Sequence, residues 1–161
     1  MGTGDGVEGH QGQVSPADSQ FADRVLESFG RQQVMITVGA KLTHVAPGEI
    51  DIWLPYNSTL TQQHGFMHAG IVATIADTAC GYAAYSLMPA GNAVLSIEFK
   101  INLLEPARGD AFVARGRVLR PGKTITVCQA DVMAIRDNAE SRIATLVATI
   151  IGLRDRKDLN G

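Results

Sequence analysis

A single carboxylate stands inside a long apolar segment of the chain. Residues 69–85 carry small and apolar side chains at a spacing typical of a helix, and Asp77 is their only charged residue. A helix that is apolar on all sides is normally buried, and burying an unpaired carboxylate is costly or raises its pKa. Asp77 is therefore a candidate functional acid. The structural alternative is an ion pair, but no Lys or Arg lies between Lys41 and Lys100, so a cationic partner must come from a distant segment or another subunit.

Polar residues precede this segment, where a helix would begin. The stretch from Gln62 to Gly70 reads QQHGFMHAG. A helix N-terminus presents unpaired N–H groups with a partial positive charge, which can polarise a carbonyl group or hold an oxyanion. The N–H of Ala69 or of Gly70 could do this, because small side chains let a substrate approach the backbone. A lone histidine is more often structural than catalytic, and His64 is interpreted in that way.

The elements that must position these residues follow from periodicity and turn residues. One helix is predicted from Phe21 to Gly30, and a long helix from His68 to Leu87. Over 95–103, apolar and polar residues alternate as in a half-buried strand. Six strands are predicted, at 35–45, 49–54, 95–103, 110–120, 124–136 and 140–153. Turns are predicted at 46–48, 106–109, 121–122 and 137–138. The segment 55–65 is polar and irregular.

The order of elements predicts the fold class. A helix, two strands, a long helix and four strands form an α+β pattern in which an antiparallel sheet covers one central helix. With 161 residues, 45% of them hydrophobic and 19% charged, the chain has the size of one domain. Residues 1–18 are predicted to be a disordered tail, 19–153 the domain and 154–161 a frayed C-terminal tail.

The composition argues against several classes of function. A net charge of −2 gives no electrostatic drive toward nucleic acid or an anionic membrane. Cys80 and Cys128 lie far apart with no CxxC pattern, which indicates buried thiols rather than a disulfide or a zinc site. Without a nucleotide-binding glycine motif or a metal-ligand cluster, no cofactor and no metal are expected. Without a signal peptide or a long apolar run, the expected location is cytoplasmic.

The start of the long helix resembles a known signature. His68-Ala-Gly70, followed by Ile75-Ala-Asp77-Thr-Ala, is similar to the "HGG…LAD" signature of the 4-hydroxybenzoyl-CoA and phenylacetate-degradation (PaaI-like) thioesterases, with the family's His-to-Asp spacing of nine. The resemblance runs from about Phe21 to Leu153. It implies a hotdog fold, an antiparallel β-sheet wrapped around a long central α-helix. It also implies hydrolysis of an aryl- or short- to medium-chain acyl-CoA.

The resemblance implies a role for each residue of the site. Asp77 matches the carboxylate that acts as nucleophile or general base, and Ala69 supplies the backbone N–H that polarises the thioester carbonyl. His68 would orient the turn and the carbonyl site, and Gln62 falls where the family often has Gln or Asn near the attacking water. The signature usually has Gly in place of Ala69. A methyl group leaves the N–H intact, so activity is expected to survive with a tighter pocket.

Coenzyme A would be part of the substrate, and its phosphates require cations. Basic residues are concentrated between Lys100 and Lys123, and the turn from Arg120 to Lys123 is the best candidate for binding phosphate. The alternative is that Arg115 and Arg117 only solvate the outer face of a sheet.

Residues after Asp77 on the same helix are candidates for the acyl pocket. Gly81 and Tyr82 are assigned to substrate binding. Tyr85 and Met88 are weaker candidates, because apolar residues at helical spacing more often belong to the core.

The implied roles also predict an assembly. An α-helix rises about 1.5 Å per residue, so Ala69 and Asp77 lie roughly 12 Å apart along the axis. One thioester cannot touch both, so they must come from different chains of a homodimer with shared sites; a dimer of such dimers is left open. Two alternatives to an enzyme of this kind are a non-catalytic acyl-CoA-binding hotdog protein and, less favoured, a hotdog hydratase or dehydratase, whose signatures are absent.

Overall fold

The computed structural model of the protein describes residues 15–154, so most of both predicted tails lies outside the described residues. The elements are α1 (Phe21–Gly30), α2 (Gln33–Val38), β1 (Lys41–Ala46), β2 (Glu49–Pro55), a short 3-10 helix (Ser58–Leu60), α3 (Ala69–Ser86), β3 (Ala93–Leu103), β4 (Ala111–Arg120), β5 (Ile125–Arg136) and β6 (Ala139–Leu153). No helix within residues 15–154 is long and apolar enough to span a membrane.

The six strands form one antiparallel sheet in the order β1-β2-β4-β5-β6-β3. Helix α3 packs across this sheet, and its buried side chains, among them Val72, Ile75 and Ala79, join those of the strands in one core. The largest fully buried strand residues are Phe112, Ile50, Ile52, Leu54, Ile143, Leu146 and Ile150. This is the hotdog arrangement that the sequence resemblance implies.

The tight connections follow from the residues that form them. Strands β5 and β6 pair up to Arg136 and Ala139, which leaves a two-residue turn. Both turn residues have positive φ, 50° at Asp137 and 60° at Asn138. This is the geometry of the hairpin turn that matches strand twist, and Asp and Asn tolerate it better than most residues. The turn predicted at 137–138 is therefore confirmed.

The strand predicted at 35–45 is wrong over its first part. Residues Gln33–Val38 form the short helix α2, which Gly39 ends with a φ of 76°, and β1 begins only at Lys41. The β-branched residues of this segment favour a strand. Because Met35 and Val38 are both buried in the core on one side of the turn, tertiary packing decides in favour of the helix.

Strand β3 departs from the predicted strict alternation. Ser96 pairs with Ile150 and Glu98 with Thr149, so β3 advances two residues while β6 advances one, and Ile97 is the extra residue of a bulge. Ser96, before the bulge, and Phe99, after the bulge, therefore lie on the same face of β3. Their partners on β6 are Ile150 and Ala148, both of which are buried. Alternation alone places Ser96 on the solvent face.

Helix α3 approaches the sheet closely at Gly116 of β4. A Cβ atom built there would lie 2.5 Å from the carbonyl carbon and oxygen of Ala79. Backbone atoms cannot move aside as a flexible side chain can. The absence of a side chain at Gly116 thus sets the distance between helix and sheet, and with it the position of Asp77 two residues before Ala79.

We expect Gly116→Ala to lower the free energy of unfolding by about 1–3 kcal/mol, the usual cost of overpacking a core. Chemical denaturation at one fixed protein concentration measures it. Gly30→Ala is the matched control, because a Cβ there meets no atom within 4 Å. If the two variants are equally stable, helix α3 is not held against β4 in this way.

Candidate active site

Asp77 lies on the side of α3 that faces the start of strand β3. It is half-buried rather than fully buried, and it lines a cavity of about 400 Å³. Ser96 Oγ donates a hydrogen bond of 2.6 Å to Asp77 Oδ1. No Lys, Arg or His of residues 15–154 lies within ion-pair distance of Asp77, so the structural alternative of an arginine partner finds no support in this part of the chain. The second oxygen, Oδ2, has no partner in this part of the chain and is available to a ligand in the cavity.

Ser96 is a residue of this cavity that the sequence does not indicate. A serine within an alternating strand is normally a solvent-facing residue, and only the bulge at Ile97 turns it toward α3. Bulges near active sites often re-aim a side chain in this way. No residue type in the strand indicates a bulge, so the spacing of apolar and polar residues does not predict it.

The two cysteines do not compete with Asp77 as nucleophiles. Cys80 and Cys128 are buried free thiols, as predicted. Burial raises the pKa of the Cys80 thiol far above its usual range, with smaller contributions from Cys128 and Asp77. Burial also raises the pKa of Cys128 to about 12. Both thiols therefore stay protonated near neutral pH, and a protonated thiol is a poor nucleophile.

The N-terminus of α3 is capped by His68. Its Nδ1 accepts a hydrogen bond of 2.9 Å from the N–H of Gly70. A Cβ at Gly70 would come within 3.1 Å of that nitrogen, so glycine leaves room for the imidazole cap. The sequence offered two candidate N–H donors, those of Ala69 and Gly70. The N–H of Gly70 already donates to His68, whereas the N–H of Ala69 has no partner among the described residues. Ala69 remains as the donor available to a ligand.

Gln62 is held next to this N-terminus by a tight turn. Its backbone N–H donates to Phe66 and its carbonyl accepts from Gly65, while Thr61 and Met67 form an isolated bridge. The side-chain Oε1 accepts from the N–H of His64, which leaves the amide NH₂ of Gln62 free to donate. His64 itself is exposed.

The candidate residues are divided between two cavities. Gln62 and Ala69 line a second cavity of about 400 Å³, bordered by Leu103 and Leu104 at the end of β3. Asp77 and Ser96 line the first cavity, bordered by residues 93–96 at the start of β3. Because α3 is continuous from Ala69 to Ser86, Ala69 and Asp77 are separated by roughly 12 Å along its axis. The candidate residues are therefore not brought together within one chain.

Similarities to known proteins identify the family. The sequence profile described as "Thioesterase superfamily" matches residues 64–140. A thioesterase family protein of known crystal structure from Silicibacter pomeroyi is 51% identical, with a TM-score of 0.82, covering 83% of this chain and 98% of that one. A Halobacterium salinarum protein named as a candidate esterase is 32% identical, over 77% of this chain and 85% of the relative. The chain belongs to the thioesterase superfamily.

A more distant likeness agrees with this family at the level of the fold. The Escherichia coli PaaI protein from the phenylacetic acid degradation operon is 19% identical, with a TM-score of 0.73, covering 82% of this chain and 92% of that one.

The basic residues of this thioesterase-superfamily chain fall into two groups. Arg115 pairs with Glu140 of β6 at 2.8 Å and Arg117 with Asp51 of β2 at 2.8 Å, so carboxylates of other strands neutralise both. Arg120 and Lys123 are exposed and have no ion-pair partner among residues 15–154. Lys123 borders a third cavity near the C-terminal end of α3, together with Met88. Met88 is thus not part of the cavity that contains Asp77.

Gly81 and Tyr82 line the same cavity as Asp77, and so does Tyr85. Gly81 follows Asp77 by one helical turn, and a Cβ there would meet no atom within 4 Å. Glycine inside a helix costs about 0.5–1 kcal/mol relative to alanine. The helix therefore carries a destabilising residue at the point where open space lies next to the carboxylate, as expected if a ligand occupies that space.

Gly81→Ala should raise the free energy of unfolding by about 0.5–1 kcal/mol, because it improves helix propensity without a clash. The added methyl group should also narrow the cavity, so the turnover of CoA thioesters with bulky acyl groups should fall more than that of acetyl-CoA. Denaturation curves and a comparison of kcat/KM test both. A loss of stability would show that the space beside Gly81 is already filled by protein.

Proposed function

We propose that this protein is an acyl-CoA thioesterase that converts an acyl-CoA and water into a free acid and coenzyme A, with Asp77 as its catalytic carboxylate. The observation that carries the proposal is the half-buried Asp77, which faces a cavity, has no cationic partner among the described residues and is oriented by Ser96. A carboxylate held in this way is available for chemistry rather than for a structural ion pair.

Asp77 can act by either of two routes. As a nucleophile, it attacks the thioester carbon and expels the CoA thiolate, and water then hydrolyses the mixed anhydride. As a general base, it removes a proton from a water molecule that attacks the same carbon. In both routes the C–S bond breaks and the thiolate gains a proton. The hydrogen bond from Ser96 to Oδ1 directs Oδ2 toward the reacting carbon or water.

The groups at the N-terminus of α3 polarise the thioester carbonyl. As the tetrahedral intermediate forms, negative charge develops on the carbonyl oxygen, and the free N–H of Ala69 at the N-terminus of α3 is suited to stabilise it. His68 fixes the first turn through Gly70, and the free amide of Gln62 lies on the same cavity, where it can orient the thioester or the water.

A second copy of the chain would bring the two cavities together. Strand β3 is a sheet edge, and it exposes large apolar residues: Leu95 51%, Ile97 54%, Phe99 44% and Leu103 54%. An exposed, long apolar edge is a template for pairing with another strand. The other edge, β1, has only six residues against the eleven of β3, so it is a much shorter template for pairing.

Antiparallel pairing of β3 with the β3 of a second copy would bring Asp77 of one chain near Ala69 of the other, so that both can act on one thioester. The cavity with Asp77 borders the start of β3 and the cavity with Ala69 borders its end. A two-fold axis near Phe99 sets residue 95 of one chain opposite residue 103 of the other. The Asp77 cavity of each chain then lies beside the Ala69 cavity of its partner. The proposed assembly is a homodimer with two equivalent sites. For the nucleotide phosphates, Arg120 and Lys123 remain the proposed contacts, because their charges are not neutralised by neighbouring carboxylates.

Asp77→Asn should keep the fold and lower kcat by at least about 100-fold, since an amide has a similar volume but is a poor nucleophile and base. Free thiol release from a panel of aryl-, short-chain and long-chain acyl-CoAs measures this. Asp23→Asn is the matched control, because Asp23 is an exposed helical carboxylate outside both cavities.

Two results would contradict the proposal. A near wild-type kcat for Asp77→Asn would remove Asp77 from the chemistry. A wild-type protein that binds CoA thioesters but releases thiol from none of them would support the alternative of a non-catalytic acyl-CoA-binding protein.

A further inference from the structure

An exposed turn carries Gln62 at the edge of the Ala69 cavity. The backbone N–H of Gln62 donates to the carbonyl of Phe66, and the N–H of Gly65 donates to the carbonyl of Gln62, so that residues 62–66 form one hydrogen-bonded turn. The three residues between Gln62 and Phe66 are exposed, and Phe66 is the one large apolar residue of the five. The position of the turn, and with it that of the Gln62 amide, therefore depends on how Phe66 is held.

The loop between β3 and β4 lies next to this turn and is fixed to the sheet. The N–H of Leu104 donates to the carbonyl of Ile143 in β6 at 2.8 Å, and the N–H of Asp110 donates to the carbonyl of Ile135 in β5 at 2.8 Å. Strands β5 and β6 lie inside the sheet rather than at its edges. The loop is thus held at both ends and offers a fixed base for the exposed turn.

Two contacts connect the turn to this loop. The N–H of Met67 donates to the carbonyl of Ala107 at 3.1 Å, and both residues are buried. The guanidinium of Arg108 lies over the ring of Phe66, 4.4 Å from its centre. A cation in this position is attracted by the negative face of the ring. The first contact fixes the chain just after the turn, and the second fixes the apolar side chain of the turn itself.

The position of Arg108 is not explained by an ion pair. Arg108 forms none within residues 15–154, although Glu105 and Asp110 belong to the same loop. Phe66 lines the Ala69 cavity, whereas Arg108 is not among the residues that line it. The guanidinium therefore contacts the ring from outside the cavity.

We propose that Arg108 is a positioning residue of the candidate active site: it holds Phe66, and through Phe66 the turn that directs the Gln62 amide toward the thioester or the attacking water. This inference rests on the proposed thioesterase function and adds a residue to the same site. A polar group assists a reaction most when it is already in place as the substrate binds. A cation–π contact at an exposed site changes an equilibrium by roughly two- to fivefold, which sets the size of the expected effect.

The test measures kcat and KM for Arg108→Met, which keeps an unbranched side chain and removes the charge. Two substrates are used: the acyl-CoA of the panel that the wild type hydrolyses fastest, and the pantetheine thioester of the same acyl group, which lacks the nucleotide phosphates. Arg108→Met should lower kcat by roughly two- to fivefold for both substrates and leave KM nearly unchanged. Arg136→Met is the matched control, because it removes the charge of an exposed arginine outside the cavities, and it should change neither parameter.

Double variants test whether Arg108 acts through the turn. In a Gln62→Ala background, Arg108→Met should cause little further loss of kcat, because the group that it positions is already absent. In a Phe66→Leu background it should also add little, because the ring that the guanidinium covers is gone. Residues that act through one another are non-additive in this way.

The inference is overturned if Arg108→Met or Gln62→Ala keeps the wild-type kcat, or if Arg108→Met costs the same factor in the Gln62→Ala background as in the wild type. A rise in KM for the acyl-CoA alone, with the pantetheine thioester unaffected, would also overturn it, because Arg108 would then contact a nucleotide phosphate directly. These outcomes leave the thioesterase function intact, whereas a wild type that releases thiol from no CoA thioester at all contradicts that function itself.

Discussion

The hydrogen bond from Ser96 to Asp77 joins the helix that carries the carboxylate to the edge strand that borders its cavity. The bond is short, at 2.6 Å. It exists because the extra residue Ile97 turns Ser96 toward α3, and because Gly116 lets α3 approach the sheet closely enough for Asp77 to reach that face. One bulge and one missing side chain thus determine where the candidate carboxylate points.

Helix geometry imposes the second constraint. A continuous helix from Ala69 to Ser86 keeps the free N–H group at its start roughly 12 Å from the carboxylate about halfway along. Each group lies on its own cavity, and β3 connects the two. The same strand is an exposed apolar sheet edge. In the proposed dimer, the N–H group of one chain and the carboxylate of the other act on the same thioester despite their separation along each helix. The exposed edge strand β3 then serves as the contact between the two chains.

Much of this arrangement can be predicted from the sequence. Helix α3, the last three strands and the turn at 137–138 follow from periodicity and from turn residues, which are local properties. The candidate residues Asp77, His68 and Ala69 follow from one unexpected charge in an apolar helix and from a resemblance at the helix start.

The features that sequence reasoning missed depend on contacts between distant segments. The β-branched residues of 34–38 prefer a strand, and only the burial of Met35 and Val38 in the assembled core makes them helical. Likewise, Ser96 reaches Asp77 through a bulge that depends on pairing with β6, and Arg108 reaches Phe66 because two loops that are distant in sequence lie side by side. Such contacts leave no trace in local spacing.

The most direct test of the shared site combines two defective chains. Asp77→Asn removes the carboxylate, and Ala69→Pro removes only the N–H at the first helical position, where proline is well tolerated and where the preceding His68, with a ψ of 136°, has the conformation that proline requires. Each parent should be folded and inactive. A heterodimer has one site with both groups intact and one with neither, so random mixing should restore roughly a quarter of wild-type activity. If verified heterodimers of folded chains stay as inactive as their parents, the two groups do not act on the same thioester and the shared-site account is wrong.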